Sequence, residues 1–423
     1  MKTKTFSPGE IVKIQTRDKS WQGTILESHD PEIILLKLTT GYNIGIRENE
    51  IINAKVIEKS KKDVKDAEIH ISKKEKLPNV VIIITGGTIS SRLDSKTGAV
   101  IPTARPEDII SIAPEITSIC NLVAVEIPFM KLSGNMDSSD WKKIAETCLP
   151  YLNNSKIDGI IITHGTDTLH YTSAALSFFI KNLNKPIALT YSQKSIDRGS
   201  TDANLNLICS AKYATSDIAE IAIVGHKDTN DKLCLAMGGT KVRKMHTSRR
   251  DAFQPINSEP IAEISRDKLK IIKNFNAKDL RKKAKLDIKY FEKITLIKIH
   301  PGQDPEILEH YANKGYKGII LEVTGLGHVP SKESKQNWLP KIKKAIQNGI
   351  TIAAAPQTIY GRLNPNVYAY GRDLQKTGII FLEDLLPETA LVKLGYVLGH
   401  KSWNPKEKLI ENIAGEFNDK IES

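Results

Sequence analysis

Two apolar, β-branched runs in this chain end alike. Residues 80–84 break into Thr-Gly-Gly-Thr-Ile at 85–89, and residues 157–162 break into Thr-His-Gly-Thr-Asp-Thr at 163–168. A short continuous apolar run bounded by glycine reads as a strand buried on both faces. Such strands belong to parallel sheets with helices on either side. The rest of the segment complies. From Asn79 onward, strand-like runs at 123–127, 187–190, 221–224 and 233–237 alternate with helical runs at 107–112, 138–151 and 169–181. The pattern predicts a parallel, doubly wound α/β sheet. In such sheets ligands bind beyond the carboxyl ends of the strands, where both threonine-bearing turns fall.

The chain has 423 residues, more than one core accommodates. Residues 6–58 read as a small all-β unit, with strands at 10–16, 21–28, 33–38 and 42–47 and turn chemistry at 7–9, 29–31 and 40–41. This is the look of an SH3-like or OB-like barrel. Its aromatic residues, Phe6, Trp21 and Tyr42, are too few for a base-stacking platform, so it reads as a docking module. Residues 59–78 form a charged linker with a short strand at 69–71. Residues 265–292 are a lysine-dense, exposed connector with weak helical period. A second α/β lobe begins at 294–299, with further strands at 318–323, 350–354 and 378–381 and helices at 334–347 and 388–398. The expected division is a β-barrel at 1–58, linker 59–78, large α/β domain 79–264, connector 265–292 and smaller α/β domain 293–423.

Several function classes are disfavoured. No run approaches the roughly 18–20 apolar residues of a membrane span, and the N-terminal MKTKTFSPGE has no apolar core behind its lysines, so a cytoplasmic protein is expected. The four cysteines have no CxxC spacing and the ten histidines no HExxH pair, so no metal is expected. There is no GxGxxG and no Walker run, so no nucleotide cofactor is expected in this chain. The formal net charge of +12 favours polyanions, RNA first, but lysine is used throughout. The charge gains weight only where an independent argument points to RNA.

A threonine hydroxyl is a poor nucleophile until a neighbour takes its proton. Thr166 beside Asp167 offers hydroxyl and carboxylate on one loop. A base is missing, and lysine can serve where its surroundings favour the neutral amine. Residues 239–248 offer Lys241 and Lys244, and spacing does not choose between them. The Gly-Gly-Thr at 238–240 reads as a turn without a catalytic role.

Three blocks carry a family resemblance: TGGTIS at 85–90, THGTDT at 163–168 and KVRKMHTSRRDAF at 241–253. They resemble the two signature motifs and the catalytic-lysine region of bacterial-type L-asparaginases and glutaminases, and the match runs from about Asn79 to the C-terminus. The resemblance implies a two-lobed asparaginase-like fold behind the N-terminal barrel. It implies catalytic roles for Thr88, Thr166, Asp167 and Lys244. Which threonine attacks first stays open; the hypothesis adopted is that Thr88 attacks and the other three relay protons. It also implies substrate contacts from Ser133, in LSGNMD, and from Gly87, Gly165 and Asp94. Two departures stand out. Gly134 occupies a position where an acidic or amide side chain is usual. No tyrosine lies between Thr88 and Pro150, and Ser95 sits where the family's lid tyrosine is expected, with Asp94 and Gly98 nearby.

The barrel, TGGTISSRLDSKTGAV at 85–100 and TGLGHVP at 324–330 narrow the resemblance to the archaeal tRNA-dependent amidotransferase branch of that family. That branch implies a glutaminase subunit in a heterotetramer with a homodimer core. Ammonia from glutamine would pass to a partner subunit, which uses ATP and Mg2+ to turn Glu-tRNA(Gln) into Gln-tRNA(Gln). Two alternatives compete with this reading. A free-standing L-asparaginase is opposed by the barrel. A non-catalytic RNA-binding protein on the same fold is opposed by the intact Thr/Thr/Asp/Lys set.

Overall fold

The structure, a computed structural model, describes residues 6–7, 9–26, 28, 30, 32–38, 43–58, 74–93, 100–102, 113–195 and 201–420. The N-terminal unit is a five-stranded antiparallel sheet. Strands Ile11–Thr16, Ser20–Leu26, Ile33–Leu38 and Asn43–Arg47 form a meander. A 3-10 turn at Glu48–Glu50 then returns the chain, so that Ile51–Glu58 pairs beside the first strand. This is the strand order of an SH3-like unit. The sequence does not set the fifth strand apart. Its pairing shifts register twice, which blurs the alternation that marks a strand. Val12, Ile14, Ile25, Leu36 and Ile46 fill the small core. The strand expected at 69–71, the helix expected at 107–112, and parts of the turns at 7–9, 29–31 and 40–41 lie outside the described residues.

The eight-stranded sheet behind it runs in the order Leu269–Ile271, Ala262–Ile264, Cys234–Gly238, Ile221–His226, Ile187–Thr190, Gly159–Thr163, Asn79–Ile84, Asn121–Glu126. The last five of these are parallel. Alternation sends Val81 and Ile83 to one face, against the helices Ser138–Leu152 and Leu169–Phe179, and Val80, Ile82 and Ile84 to the other, against Ala203–Ala214.

Three expectations need correction here. Residues 233–237, read as part of the parallel pattern, pair antiparallel with Ile221–His226. The connection between the two strands is a short hairpin loop, and only a long crossover returns a strand parallel. Residues 265–292 contain no helix: Leu269–Ile271 is an antiparallel edge strand, and Lys285–Leu286 pairs with Ile180–Lys181. The latter pairing ends the preceding helix at Phe179, short of the expected 181.

The C-terminal lobe is a parallel four-stranded sheet of Ile294–Lys298, Gly318–Val323, Thr351–Pro356 and Ile380–Phe381. Its helix expected from 334 begins at Trp338, because the Asn337 carboxamide accepts from the Leu339 amide at 3.1 Å and caps it. The lobes meet where Leu169–Phe179 packs on Pro387–Leu398, with Phe178 and Tyr396 stacked at 5.7 Å between centroids.

The tail is pinned by a buried ion pair. Lys393 Nζ lies 2.6 Å from Glu416 Oε1, both side chains 0% exposed, and Glu416 also accepts the Ile413 and Ala414 amides. Removing one partner of a buried pair strands the other charge. Glu416→Ala is expected to cost about 3 kcal/mol or more, read as a lower urea midpoint.

Candidate active site

The two threonine turns follow neighbouring parallel strands whose ends are level. Ile84 is the Cα partner of Thr163. The Thr85 hydroxyl donates to the Thr163 carbonyl at 2.8 Å and ties the turns at their roots. Further out they meet main chain to main chain. Gly87 has φ +85°, and a Cβ placed on it would lie 2.4 Å from the Gly165 nitrogen. A Cβ on Gly165 would lie 2.6 Å from Ser133 Oγ. Both positions therefore demand glycine, and Thr88, half-buried in a 3-10 turn, is set beside the second loop as a result.

Lys244 reaches this place from the short strand Val242–Lys244, which pairs with Phe253–Pro255. Its Nζ donates to Thr166 Oγ1 at 2.8 Å and to Asp167 Oδ1 at 3.0 Å. Lys241, the other lysine the sequence left open, turns away and forms a buried pair with Asp384 at 2.6 Å. Ser133 is buried; its Oγ accepts from the Asp167 amide at 3.1 Å, and its carbonyl accepts from the Thr168 hydroxyl at 2.6 Å. Asp167, Lys244, Met245, His246 and Thr247 line an open pocket of about 330 Å³, a size suited to a small ligand. The structure thus brings Thr166, Asp167, Lys244, Ser133, Gly87 and Gly165 together, with Thr88 alongside. Asp94, Ser95 and Gly98 lie outside the described residues. Gly134 is exposed, and a Cβ there meets nothing within 4 Å, so no neighbouring side chain occupies the space of the usual polar group.

Sequence reasoning missed two histidines. His164 Nδ1 lies 2.7 Å from the Gly165 carbonyl, which only accepts, so Nδ1 carries the proton and Nε2 accepts from the Thr172 hydroxyl at 2.9 Å. The neutral ring thereby orients the Gly165 peptide. Burial pulls the His164 pKa down to about 4, against the opposing pull of that carbonyl. Burial, then the cations Arg243 and Lys244, takes His170 down to about 3. The signal for His164 was present in the sequence, because a histidine directly after a buried strand needs hydrogen-bond partners.

Both histidines bind a proton more readily unfolded than folded. Their contribution to stability is complete above the ordinary pKa of about 6.5 and is lost as pH falls toward their folded values. Thermal melts between pH 6 and 4 are expected to show unfolding linked to uptake of up to about two protons from this pair. His170→Gln should remove about half of that linkage.

The glycine-tied turns, with a lysine bridging a threonine and an aspartate, define an amidohydrolase of the asparaginase class. Residues 79–277 match the asparaginase N-terminal domain family, residues 293–409 the glutaminase/asparaginase C-terminal domain, and residues 6–57 the GatD N-terminal domain. Among solved structures, the thermostable L-asparaginase from Thermococcus kodakarensis superposes with a TM-score of 0.71 at 28% identity, over 81% of this chain and 100% of that one. L-asparaginase I from Vibrio cholerae superposes at 0.69 and 26% identity, over 81% and 99%. The GatD subunit of the glutamyl-tRNA(Gln) amidotransferase of Thermococcus kodakarensis is 43% identical over 97% of this chain and 94% of its own length. That of Methanococcus maripaludis is 42% identical over 98% of each. This chain belongs to the GatD family of glutamyl-tRNA(Gln) amidotransferase subunits.

Proposed function

We propose that this chain is the glutaminase subunit of an ATP-dependent amidotransferase that converts Glu-tRNA(Gln) to Gln-tRNA(Gln). The carrying observation is the double hydrogen bond of Lys244 Nζ, to Thr166 and Asp167, beside the turn that bears Thr88. The Thr88 hydroxyl attacks the side-chain amide carbon of glutamine. Lys244, Thr166 and Asp167 pass its proton to the leaving nitrogen as the C–N bond breaks. Main-chain N–H groups of the two turns hold the oxyanion. Ammonia departs, and water releases glutamate from the acyl-enzyme. Ser133, Gly87, Gly165 and Asp94 hold the substrate. A GatE-like partner supplies the ATP- and Mg2+-dependent activation of the glutamyl group, and a homodimer of this chain forms the core of a heterotetramer. Family membership and the N-terminal domain support this assembly.

The test is co-purification with that partner, followed by glutamine-dependent amidation of glutamyl-tRNA(Gln). Glutamine hydrolysis is expected to be slow for the chain alone and faster with partner and tRNA. Rapid asparagine hydrolysis by the chain alone would instead favour a free-standing asparaginase. Tight, salt-sensitive tRNA binding without hydrolysis would favour an RNA-binding protein.

The order of attack has its own experiment. Protein quenched during turnover of glutamine is expected to carry an acyl group on Thr88, detected by mass spectrometry, and Thr88→Ala to carry none. An acyl group found on Thr166 in the Thr88→Ala protein reverses the two roles.

A further inference from the structure

The strand that carries Lys244 is gripped from the other lobe. Within the strand Val242–Lys244, residue 243 lies on one face and 242 and 244 on the other, and Lys241, just before the strand, reaches the same lobe as Arg243. There, Lys241 Nζ meets Asp384 Oδ2 at 2.6 Å, with side chains 3% and 5% exposed, and Arg243 Nη2 meets Glu388 Oε1 at 2.8 Å. Glu388 sits in the first turn of the helix Pro387–Leu398, and Asp384 lies in the turn that precedes it. Next to them the Thr389 hydroxyl donates to the Thr240 carbonyl at 3.1 Å, and Asn418 Nδ2 donates to Asp384 Oδ2 at 2.9 Å. The C-terminal lobe therefore holds residues 240, 241 and 243. Lys244 alternates to the opposite face, where its amine finds Thr166 and Asp167.

We propose that Glu388 is a positioning residue for amide hydrolysis, acting through Arg243 to fix the strand from which Lys244 reaches its two oxygens. The proposal rests on the role given to Lys244 above. Glu388 suits such a task because it is buried, and its second oxygen, Oε2, has no hydrogen-bond partner among the described residues. Its polar contact thus runs through Oε1 to Arg243. A lysine amine displaced by about 1 Å lowers turnover steeply, up to about a hundredfold, even when the altered residue is remote from the chemistry.

The experiment compares Glu388→Gln, Arg243→Met, Arg243→Lys and Lys244→Leu in the amidotransferase complex, reading kcat and KM for glutamine together with the melting temperature. Glu388→Gln and Arg243→Met are expected to lower kcat about tenfold to a hundredfold, with KM changed less than about twofold, as for a contact that acts in the transition state. Arg243→Lys, which keeps the charge, should recover most of the loss. If Arg243→Met does not fold, the isosteric Glu388→Gln carries the comparison alone. Unchanged kcat in the Glu388 and Arg243 variants beside an inactive Lys244→Leu overturns the positioning role only. A loss that tracks melting temperature and is not recovered by Arg243→Lys assigns Glu388 to packing and also overturns it. Full activity in Lys244→Leu removes the reading of the site beneath it.

Discussion

Lys244→Leu is expected to lower glutamine hydrolysis by about a thousandfold, within the range seen when a positioned proton-transfer group is lost. Leucine keeps a side chain on the strand but removes the amine that bridges Thr166 and Asp167. The strand itself is held by Val242 in the core and by the pairing of Lys244 with Phe253. The melting temperature should therefore move by only a few degrees. Lys244→Arg is a sharper probe. Arginine keeps the charge, but its planar fork replaces a compact ammonium whose donors rotate freely. It is expected to be nearly as inactive as the leucine variant. The measurement is ammonia release with partner subunit and glutamyl-tRNA present, and activity near that of the parent in the leucine variant would remove Lys244 from the chemistry.

Gly87→Ala is expected to damage stability and turnover together. The native backbone there has φ +85°, which an L side chain adopts at a cost of about 1–3 kcal/mol. The added methyl would also lie 2.4 Å from the Gly165 nitrogen, an atom of a main chain anchored by His164 and Ser133. The turns must then separate, and Thr88 moves away from Thr166. A loss of about 2–3 kcal/mol in urea unfolding and about a hundredfold in kcat is the expected result. Gly134→Ala is the control for stability, because its methyl enters open space. Equal unfolding midpoints for the two variants would show that the turns do not depend on this approach.

Much of this was legible in the sequence, for physical reasons. Strands buried on both faces are continuous apolar runs, so Asn79–Ile84 and Gly159–Thr163 could be placed to within two residues. The antiparallel turn of the large sheet lay in the spacing rather than in the apolar runs themselves: residues 225–232, between the runs at 221–224 and 233–237, are too few for a parallel crossover. The Thr166–Asp167 pair could be proposed because adjacent residues share a loop. The choice between Lys241 and Lys244 could not be made from spacing, because it depends on how the short strand Val242–Lys244 and the residue before it are set between Asp384 and Asp167. Glu388 was invisible for the same reason. It lies 145 positions from Arg243 along the chain, and only the packing of the helices Leu169–Phe179 and Pro387–Leu398 brings them together.

The turns that carry the hydroxyls meet through peptide backbone, at Gly87 and Gly165, while the pocket wall at Met245, His246 and Thr247 is made of side chains from a separate hairpin. The contact that aligns the turns and the wall of the pocket are therefore encoded at different addresses. A combinatorial library over Gly134, His246 and Thr247 would vary the surroundings of the pocket without touching the glycine contact that sets Thr88 beside the second turn. A directed-evolution campaign could begin from those three codons.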